Sequence, residues 1–300
     1  MHPAAAAVLG LSAAGAAGLG YAAGYEVRAF TLREVDVPVL HAGARPLRIL
    51  HLSDLHLTPS QHKKQQWVRE LADLEPDLVI NTGDNLAHVE AVPAVLSALT
   101  PLLERPGVFV FGSNDYFGPV LKNPARYLLP SRRTRRLFGP RLPWRDLRSA
   151  FVSRGWIDLT NRREQVNVDG LRLSFAGVDD PHLGYDRLDA VAGSADSTTD
   201  LSIGLTHAPY LRVLDAFNSD GYPMIFAGHT HGGQLCVPFK GALVTNCDLE
   251  TARAKGLHRH QVNGHRPSWM HVSAGLGTSP KAPVRFCCRP EASLVTLLPA

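Results

Sequence analysis

Short apolar runs alternate with amphipathic stretches through the first half of the chain. Runs at 47–53, 77–81 and 107–111 are five to seven residues long, a length typical of buried strands. Between them, the stretches 61–74 and 93–103 combine helix-forming composition with an apolar face. The order strand, helix, strand, helix, strand predicts a parallel sheet covered by helices.

The second half contains more predicted strand. Asp169-Gly170 separates the segments 165–168 and 171–176, and this dipeptide between two apolar segments is a strong signal of a hairpin. Further apolar runs predict strands at 201–205, 223–227, 270–273 and 292–297.

Metal-ligand side chains follow the predicted strands at their carboxyl ends, where open α/β sheets bind ligands. They are Asp54, His56, Asp84, Asn114, His207, His229 and His231. Mixed carboxylate, amide and imidazole donors suit borderline divalent ions such as Mn, Fe or Zn. Because seven donors exceed the needs of one tetrahedral ion, the pattern predicts two ions with one bridging carboxylate.

Composition sets broad limits on the class of protein. The 300 residues are 45% hydrophobic and 19% charged, enough for one large domain or two small ones. The net charge of +4 is modest, so no nucleic-acid partner is predicted. Arginines concentrate near 119–149, which we interpret as an inserted, solvated basic face. The alternative is a rim that attracts anionic substrate or acidic lipid headgroups.

The N-terminal segment raises the question of a membrane. Residues 3–25 carry no charge and are long enough for a span, but few of them are strongly apolar, so insertion would be marginal. We predict an apolar leader and linker at 1–46, before a folded domain at 47–300. We predict that the protein is associated with a membrane, and a single N-terminal span is one way in which it could be anchored. The alternative is a cytoplasmic location.

The ordered motifs together resemble the calcineurin-like metallophosphoesterase superfamily. They are Asp54-x-His56, Gly83-Asp84, Gly112-Ser113-Asn114-Asp115, Thr206-His207 and Gly228-His229-x-His231. Details such as Gly275-Leu276-Gly277 are similar to a bacterial branch of membrane- or cell-wall-associated phosphoesterases. The resemblance covers the chain from about residue 48 and implies an α/β four-layer αββα sandwich, with two mixed sheets between helices.

The resemblance also implies a role for each candidate residue. Asp54, His56 and His231 would hold the first metal, His207, His229 and an Asn the second, and Asp84 would bridge them. Two metals about 3.5–4 Å apart activate a bridging water and clamp phosphoryl oxygens, so no protein nucleophile is needed. Catalytic roles are predicted for Asp84, Asn114 and His229. Substrate contacts are predicted for Asn85 and Arg285, with a surface ion pair as the alternative for Arg285.

The fourth motif departs from the family pattern, which is usually Gly-Asn-His-Asp or Gly-Asn-His-Glu. Strict register puts Ser113 at the ligand position and Asn114 at the position of the general acid. We expect either that Asn114 serves the second metal or that this metal binds weakly. General acid assistance is typically worth about 10²–10⁴ in rate. Our hypothesis is that leaving groups depart unaided, or that His88 or His182 supplies the proton.

Two aspartates after a predicted strand have two interpretations. Asp179 and Asp180 would either orient the histidines or cap the turn before Pro181.

The predicted function is hydrolysis of phosphodiester or pyrophosphate bonds by in-line attack of a hydroxide that bridges two metals. The alternatives are a phosphomonoesterase and a metal-binding module that has lost catalysis. The predicted partners are a phosphate ester, nucleotide- or lipid-linked, and a membrane surface. Retention of both histidine pairs argues against lost catalysis.

Overall fold

The computed structural model describes residues 3–121 and 138–300. Its described strands are β1 Thr31–Leu40, β2 Leu47–Leu52, β3 Leu78–Asn81, β4 Gly107–Phe109, β5 Ile157–Asp158, β6 Arg162–Val168, β7 Leu171–Gly177, β8 Leu201–Leu205, β9 Met224–Ala227, β10 Cys236–Val237, β11 Gly241–Ala242, β12 Gly256–His260, β13 Ser268–Val272 and β14 Glu291–Pro299. Its described α-helices are α1 Pro3–Gly20, α2 His62–Glu70, α3 Val92–Leu99, α4 Ser113–Tyr116, α5 Trp144–Ser153, α6 Leu188–Val191 and α7 Leu211–Ser219.

Most of the described strands form two mixed sheets of six. The first has the order β1-β14-β2-β3-β4-β5, in which β2 to β5 are parallel and β14 is antiparallel to β2. The second has the order β12-β13-β9-β8-β7-β6, with a parallel centre and an antiparallel pair at each side. The β6–β7 pair is the hairpin predicted at Asp169-Gly170.

The apolar side chains lie in layers that explain the fold. Ile49 and Ile80 of the first sheet are fully buried in one cluster with Ile203 and Phe226 of the second, so the sheets pack face to face. Helices α2, α3 and α5 cover the outer face of the first sheet, and α7 covers that of the second. The predicted four-layer sandwich is therefore confirmed.

The folded part begins earlier than the predicted boundary at residue 47. Strand β1 lies inside the predicted leader and pairs in parallel with β14, from Thr31 opposite Glu291 to Leu40 opposite Pro299. Val37 and Leu40 are buried in the core between the sheets. Because only one face of an edge strand is covered, apolar residues appear at alternate positions, and the polar residues between them concealed the strand from the sequence.

The N-terminal helix α1 occupies most of the uncharged segment. Within the described ranges, no helix combines the length and the apolar character that crossing a membrane requires. Membrane association stays a prediction.

The predicted basic insertion is described only at its two ends. Five of its arginines lie outside the described residues: Arg126, Arg132, Arg133, Arg135 and Arg136. At its C-terminal end, Arg148 pairs with Asp158, and the Arg145 guanidinium lies 4.7 Å from the centre of the Trp144 ring.

Candidate metal centre

The predicted ligands meet because the parallel strands of both sheets end at the same side of the sandwich. Asp54 and His56 follow β2, Asp84 follows β3, and Asn114 follows β4; His207 follows β8, and His229 and His231 follow β9. Face-to-face packing of the two sheets then brings all seven predicted residues into one buried volume.

One half of this volume contains two carboxylates and two imidazoles. A ligand atom of each of Asp54, His56, Asp84 and His231 lies within 4.8 Å of the other three. The Asp54 Oδ1 atom is 3.5 Å from His231 Nε2, and the Asp84 Oδ2 atom is 3.4 Å from His56 Nε2. The four groups are placed so that one cation could contact them together.

The other half is built on the same Asp84 carboxylate. Its Oδ2 atom is 3.5 Å from His207 Nε2, which in turn is 3.3 Å from His229 Nδ1. The Asn114 side-chain amide contacts the same Oδ2 atom at 2.6 Å. Asp84 therefore lies between the two groups of predicted ligands, where a bridging carboxylate belongs.

One buried oxygen tests whether a metal fits. Asp54 Oδ2 accepts hydrogen bonds from Ser53 Oγ at 2.6 Å and from the His229 backbone N–H at 3.0 Å. Asp54 Oδ1 is buried without a hydrogen-bond partner and faces the imidazoles. Buried carboxylate oxygens normally have a partner, and a divalent cation would provide it. The residues present fit the metal that the resemblance implies.

Backbone carbonyls orient three of the imidazoles. His207 Nδ1 donates to Thr82 O at 2.7 Å, and His231 Nδ1 donates to Gly277 O at 3.0 Å. Since a carbonyl only accepts, these Nδ1 atoms carry a proton and each Nε2 atom faces the centre. His229 is reversed, with Nε2 3.4 Å from Asn246 O and Nδ1 toward the centre.

The backbone of the ligand loops is strained. Asp54, His56, Asp84, His229 and His231 all have positive φ angles, of 51°, 41°, 58°, 70° and 50°. Residues with a Cβ rarely adopt this left-handed conformation, and such strain concentrates at functional sites. The fold therefore holds these side chains in place against a local cost.

Two glycines allow the loops to approach each other. A Cβ on Gly112 would lie 2.3 Å from Asp84 Oδ1, and a Cβ on Gly228 would lie 1.9 Å from Ser53 Oγ. Only a residue without a side chain fits at either position.

Burial and charge set the protonation of the centre. Burial lowers the pKa of His56 and of His231 to about 3, which favours the neutral imidazole that binds metals. Burial would also lower the pKa of His207, but the charge and hydrogen bond of Asp84 raise it well above the usual range. A cation between these two residues would take the place of the His207 proton.

The fourth motif places Asn114, rather than Ser113, against Asp84. The Asn114 backbone N–H also donates to Asp84 Oδ1 at 2.7 Å, whereas Ser113 Oγ lies 3.4 Å from Asn114 Nδ2. The next residue, Asp115, is fully buried and was not singled out from the sequence. The signal in the sequence that could have identified Asp115 was its position directly after Asn114, within the fourth motif.

The placement of Arg285 contradicts the predicted contact with substrate phosphate. Its side chain is fully buried, and Nη2 donates to the carbonyls of Ala274, Gly275 and Gly277 at 2.7 to 3.0 Å. The alternative, a surface ion pair, is also wrong, because the guanidinium is buried. Instead it holds the loop whose Gly277 carbonyl orients His231.

The predicted substrate contact from Asn85 is also constrained by burial. Asn85 is fully buried, and its Oδ1 accepts a hydrogen bond from Asn81 at 2.8 Å. Its Nδ2 is buried without a hydrogen-bond partner. The substrate role stays a prediction.

The aspartates before Pro181 cap a turn that presents His182. Asp180 is buried, and it accepts hydrogen bonds from the backbone N–H groups of His182 and Leu183. The His182 ring packs against His229 with 4.7 Å between ring centres. His88, the other predicted proton source, is exposed. The turn-capping interpretation of Asp180 is therefore confirmed. Of the two histidines predicted as proton sources, His182 lies beside the metal centre and His88 does not.

A buried lysine supports the first ligand loop and was missed in the sequence. Lys64 Nζ donates at 2.8 Å to the carbonyl of Leu55, between Asp54 and His56. Burial, followed by the charge of Arg285, lowers the pKa of Lys64 to about 7. In the sequence it was one polar position of a predicted amphipathic helix, with no signal to separate it from its neighbours.

Comparison with protein families and curated relatives gives a consistent result. The family model for calcineurin-like phosphoesterase matches residues 47–233. The uncharacterized metallophosphoesterase YkoQ of Bacillus subtilis is 28% identical over 253 residues, covering 82% of each chain. The uncharacterized metallophosphoesterase YkuE of the same organism is 24% identical, covering 97% of this chain and 94% of its own.

Other relatives match part of a longer protein. A Bos taurus transmembrane protein with metallophosphoesterase domain is 30% identical over 229 residues, which cover 69% of this chain and 45% of the relative. Among solved structures, that of the NAD nucleotidase of Haemophilus influenzae is similar to this chain with a TM-score of 0.46 at 13% identity, with 83% of this chain and 49% of that chain covered.

Proposed function

This chain belongs to the calcineurin-like phosphoesterase family, and we propose that it hydrolyses phosphodiester or pyrophosphate bonds with two divalent metal ions. Family membership makes it a metal-dependent phosphoric ester hydrolase. The proposal adds the number of metals and the type of bond. The observation that carries it is the position of Asp84, whose Oδ2 atom lies 3.4 Å from His56 Nε2 and 3.5 Å from His207 Nε2.

The protein groups divide into two ligand sets around this carboxylate. Asp54, His56 and His231 would hold one ion, and His207, His229 and Asn114 would hold the other. The ions, which we take to be Mn, Fe or Zn, would supply Lewis acidity and a water of lowered pKa. The chain itself orients His207, His229 and His231 through backbone carbonyls and keeps the ligands in a buried, preorganised cluster.

The altered fourth motif supports a choice of bond. Asn114 occupies the position of the family's histidine, and an amide does not act as a proton donor of useful acidity. Pyrophosphate linkages and aryl phosphodiesters have leaving groups that need little protonation, so they suit this centre best. A series of aryl phosphodiesters should therefore show rates that fall steeply as the pKa of the leaving phenol rises, and a flat dependence would contradict the proposal.

The decisive experiment compares the full-length protein with Asp84→Asn. Metal-free protein would be reconstituted with Mn and tested on bis-p-nitrophenyl phosphate, a nucleoside diphosphate ester and p-nitrophenyl phosphate. We expect the first two esters to be cleaved, and the variant to lose at least ~10²-fold in activity, because a bridging metal ligand contributes several kcal/mol. Preference for the monoester would favour the phosphomonoesterase alternative. Metal binding without cleavage of any ester would favour lost catalysis.

A second observation supports the predicted membrane surface as a partner. Exposed apolar side chains lie on the end of the N-terminal helical segment and on the β10–β11 hairpin that follows His231. They are Leu19, Tyr21, Tyr25, Leu235, Val237, Phe239 and Leu243. Phe286 connects the two groups, because its ring lies 6.2 Å from the Tyr21 ring and its backbone pairs with Leu235.

Charge around this apolar surface favours an acidic bilayer. Arg28 and Lys240 are exposed on the same two segments, and Arg289 is exposed three residues after Phe286. Apolar side chains together with cations bind anionic lipid surfaces. We therefore propose that the rim beside the metal centre contacts acidic lipid headgroups, which would give the enzyme access to lipid-linked phosphate esters.

A further inference from the structure

Two thiols lie together behind the His231 loop. Cys236 and Cys288 are both buried and reduced. Both sulfurs also lie close to one carbonyl, since Cys236 Sγ is 3.3 Å and Cys288 Sγ is 3.4 Å from Gly232 O. The pair is separated by 51 residues in the chain and meets only in the fold.

The backbone around the pair brings the two segments side by side. The Cys236 backbone N–H donates to Phe286 O at 2.9 Å, next to the paired residues Leu235 and Phe286. This pairing holds the two cysteine-bearing segments next to each other, and a disulfide requires such proximity of the two backbones.

The thiols support the backbone of a predicted metal ligand. Cys288 Sγ lies 3.3 Å from His231 O, and the Sγ atoms of both cysteines lie within hydrogen-bond distance of Gly232 O. A Cβ on Gly232 would lie 2.7 Å from Cys288 Sγ, so the loop rests directly on this sulfur. A chemical change at the sulfurs would therefore act on the position of His231.

We propose that Cys236 and Cys288 form a peroxide-oxidisable dithiol whose disulfide weakens metal binding at His231. The effect on metal binding rests on the proposed function, whereas formation of the bond does not.

The chemistry requires a peroxide as the two-electron oxidant. The sulfur of Cys288 attacks one peroxide oxygen and breaks the O–O bond, and the thiol proton passes to the leaving oxygen, so that a sulfenic acid and water are formed. The sulfur of Cys236 then attacks that sulfenic sulfur, forms the S–S bond, and releases water. Arg285 and Lys255 each place a nitrogen 3.9 Å from Cys288 Sγ, which favours Cys288 as the first nucleophile.

Oxidation removes the hydrogen bonds that hold the loop. The disulfide has no S–H group, so the carbonyls of His231 and Gly232 lose the two thiol donors that lie against them. Loss of a group that orients a metal ligand typically lowers metal affinity about 10–100-fold. We expect a reduction of this size on oxidation, and recovery after treatment with dithiothreitol.

The test uses full-length protein treated with hydrogen peroxide. Intact mass and tryptic mapping would detect a bond between the peptide that contains Cys236 and the peptide that contains Cys287 and Cys288. Because the last two share a peptide, Cys287→Ser assigns the partner and should keep the bond. Cys247→Ser is a matched control that should also keep it, whereas Cys288→Ala should abolish it.

Calorimetric titration with Mn would then compare the metal affinity of the reduced protein with that of the oxidised protein. A Cys236–Cys288 bond with weakened metal binding supports the proposal. Absence of the bond in wild-type protein, a bond through Cys247 or Cys287, or unchanged metal affinity after oxidation would overturn it. Failure of reduced protein to bind metal would instead overturn the proposed function, since mass mapping reports the bond independently.

Discussion

The carboxylate of Asp115 accepts a hydrogen bond from the backbone N–H of Asp84 at 2.8 Å and thereby joins the loops after β4 and β3. The same carboxylate accepts from Asn85 N at 2.8 Å and from Gly112 N at 3.0 Å. Asp84, the candidate bridging ligand, is therefore positioned by Asp115, which belongs to the fourth motif.

Replacing Asp115 by Asn should weaken both the fold and the metal centre. One oxygen becomes an amide that faces a backbone N–H group, which leaves a buried donor unpaired at about 1–3 kcal/mol. We expect the free energy of unfolding to fall by about 2 kcal/mol at pH 8 in urea, and Mn affinity to fall about 10–100-fold. Asp146→Asn, on the exposed side of α5, should change neither quantity; equal effects in both variants would contradict the prediction.

Asn114 and Ser113 should differ in their effect on the second metal. Asn114→Ala removes the amide that contacts Asp84, so we expect the Mn content to fall from two ions toward one and activity to fall about 10–100-fold. Ser113→Ala should retain both ions. Metal analysis after gel filtration measures this, and the reverse order of the two variants would assign the ligand role to Ser113.

Arg285→Met should act mainly on stability rather than on substrate affinity. The substitution leaves the Ala274 carbonyl without its guanidinium donor and removes one of two donors from the Gly275 and Gly277 carbonyls. We expect a loss of about 1–3 kcal/mol in the free energy of unfolding, from the buried acceptor left unpaired, and no rise in KM for bis-p-nitrophenyl phosphate. Arg289→Met, at an exposed neighbouring position, is the matched control. A stable variant with a raised KM would restore the substrate role of Arg285.

Stability of the metal-free protein should fall as the medium becomes acidic. His51 and His271 are buried between the sheets with their Nδ1 atoms 2.9 Å apart. Burial lowers the pKa of His271 from 6.5 to about 4, so the unfolded chain binds more protons than the folded one between these values. The free energy of unfolding is therefore lost as pH falls from about 6.5 toward 4, by up to ~1.4 kcal/mol per pH unit for each such group.

The His271→Gln variant tests the origin of this slope. Urea unfolding in EDTA at several pH values should show a smaller slope in the variant than in wild type. His265→Gln, at an exposed position, should keep the wild-type slope. An unchanged slope in His271→Gln would mean that other groups carry the acid sensitivity.

Phe239→Asp should weaken binding to acidic vesicles. Phe239 is fully exposed at the tip of the β10–β11 hairpin, and a carboxylate there would repel anionic headgroups. We expect at least a threefold loss of binding to phosphatidylglycerol vesicles in sedimentation, with cleavage of soluble bis-p-nitrophenyl phosphate unchanged. Val152→Asp, an exposed valine on α5, is the control. Equal losses in both variants, or no binding by wild type, would refute the membrane surface.

The sequence alone was sufficient for the parallel strands and for the seven candidate ligands. Buried strands appear as continuous apolar runs, and ligands such as Asp54 and His229 lie directly after them, so local pattern carried this information. The pattern failed at β1, because an edge strand has apolar residues only on its covered face.

The tertiary structure decided which groups surround those ligands. The burial of Arg285, the support of the Asp54 loop by Lys64, and the meeting of Cys236 with Cys288 all depend on segments distant in the chain. Their local sequences do not differ from those of solvated residues, since a long cation or a thiol has no periodic signature. Packing of one sheet against the other determines what each side chain touches, and that packing is a property of the whole chain.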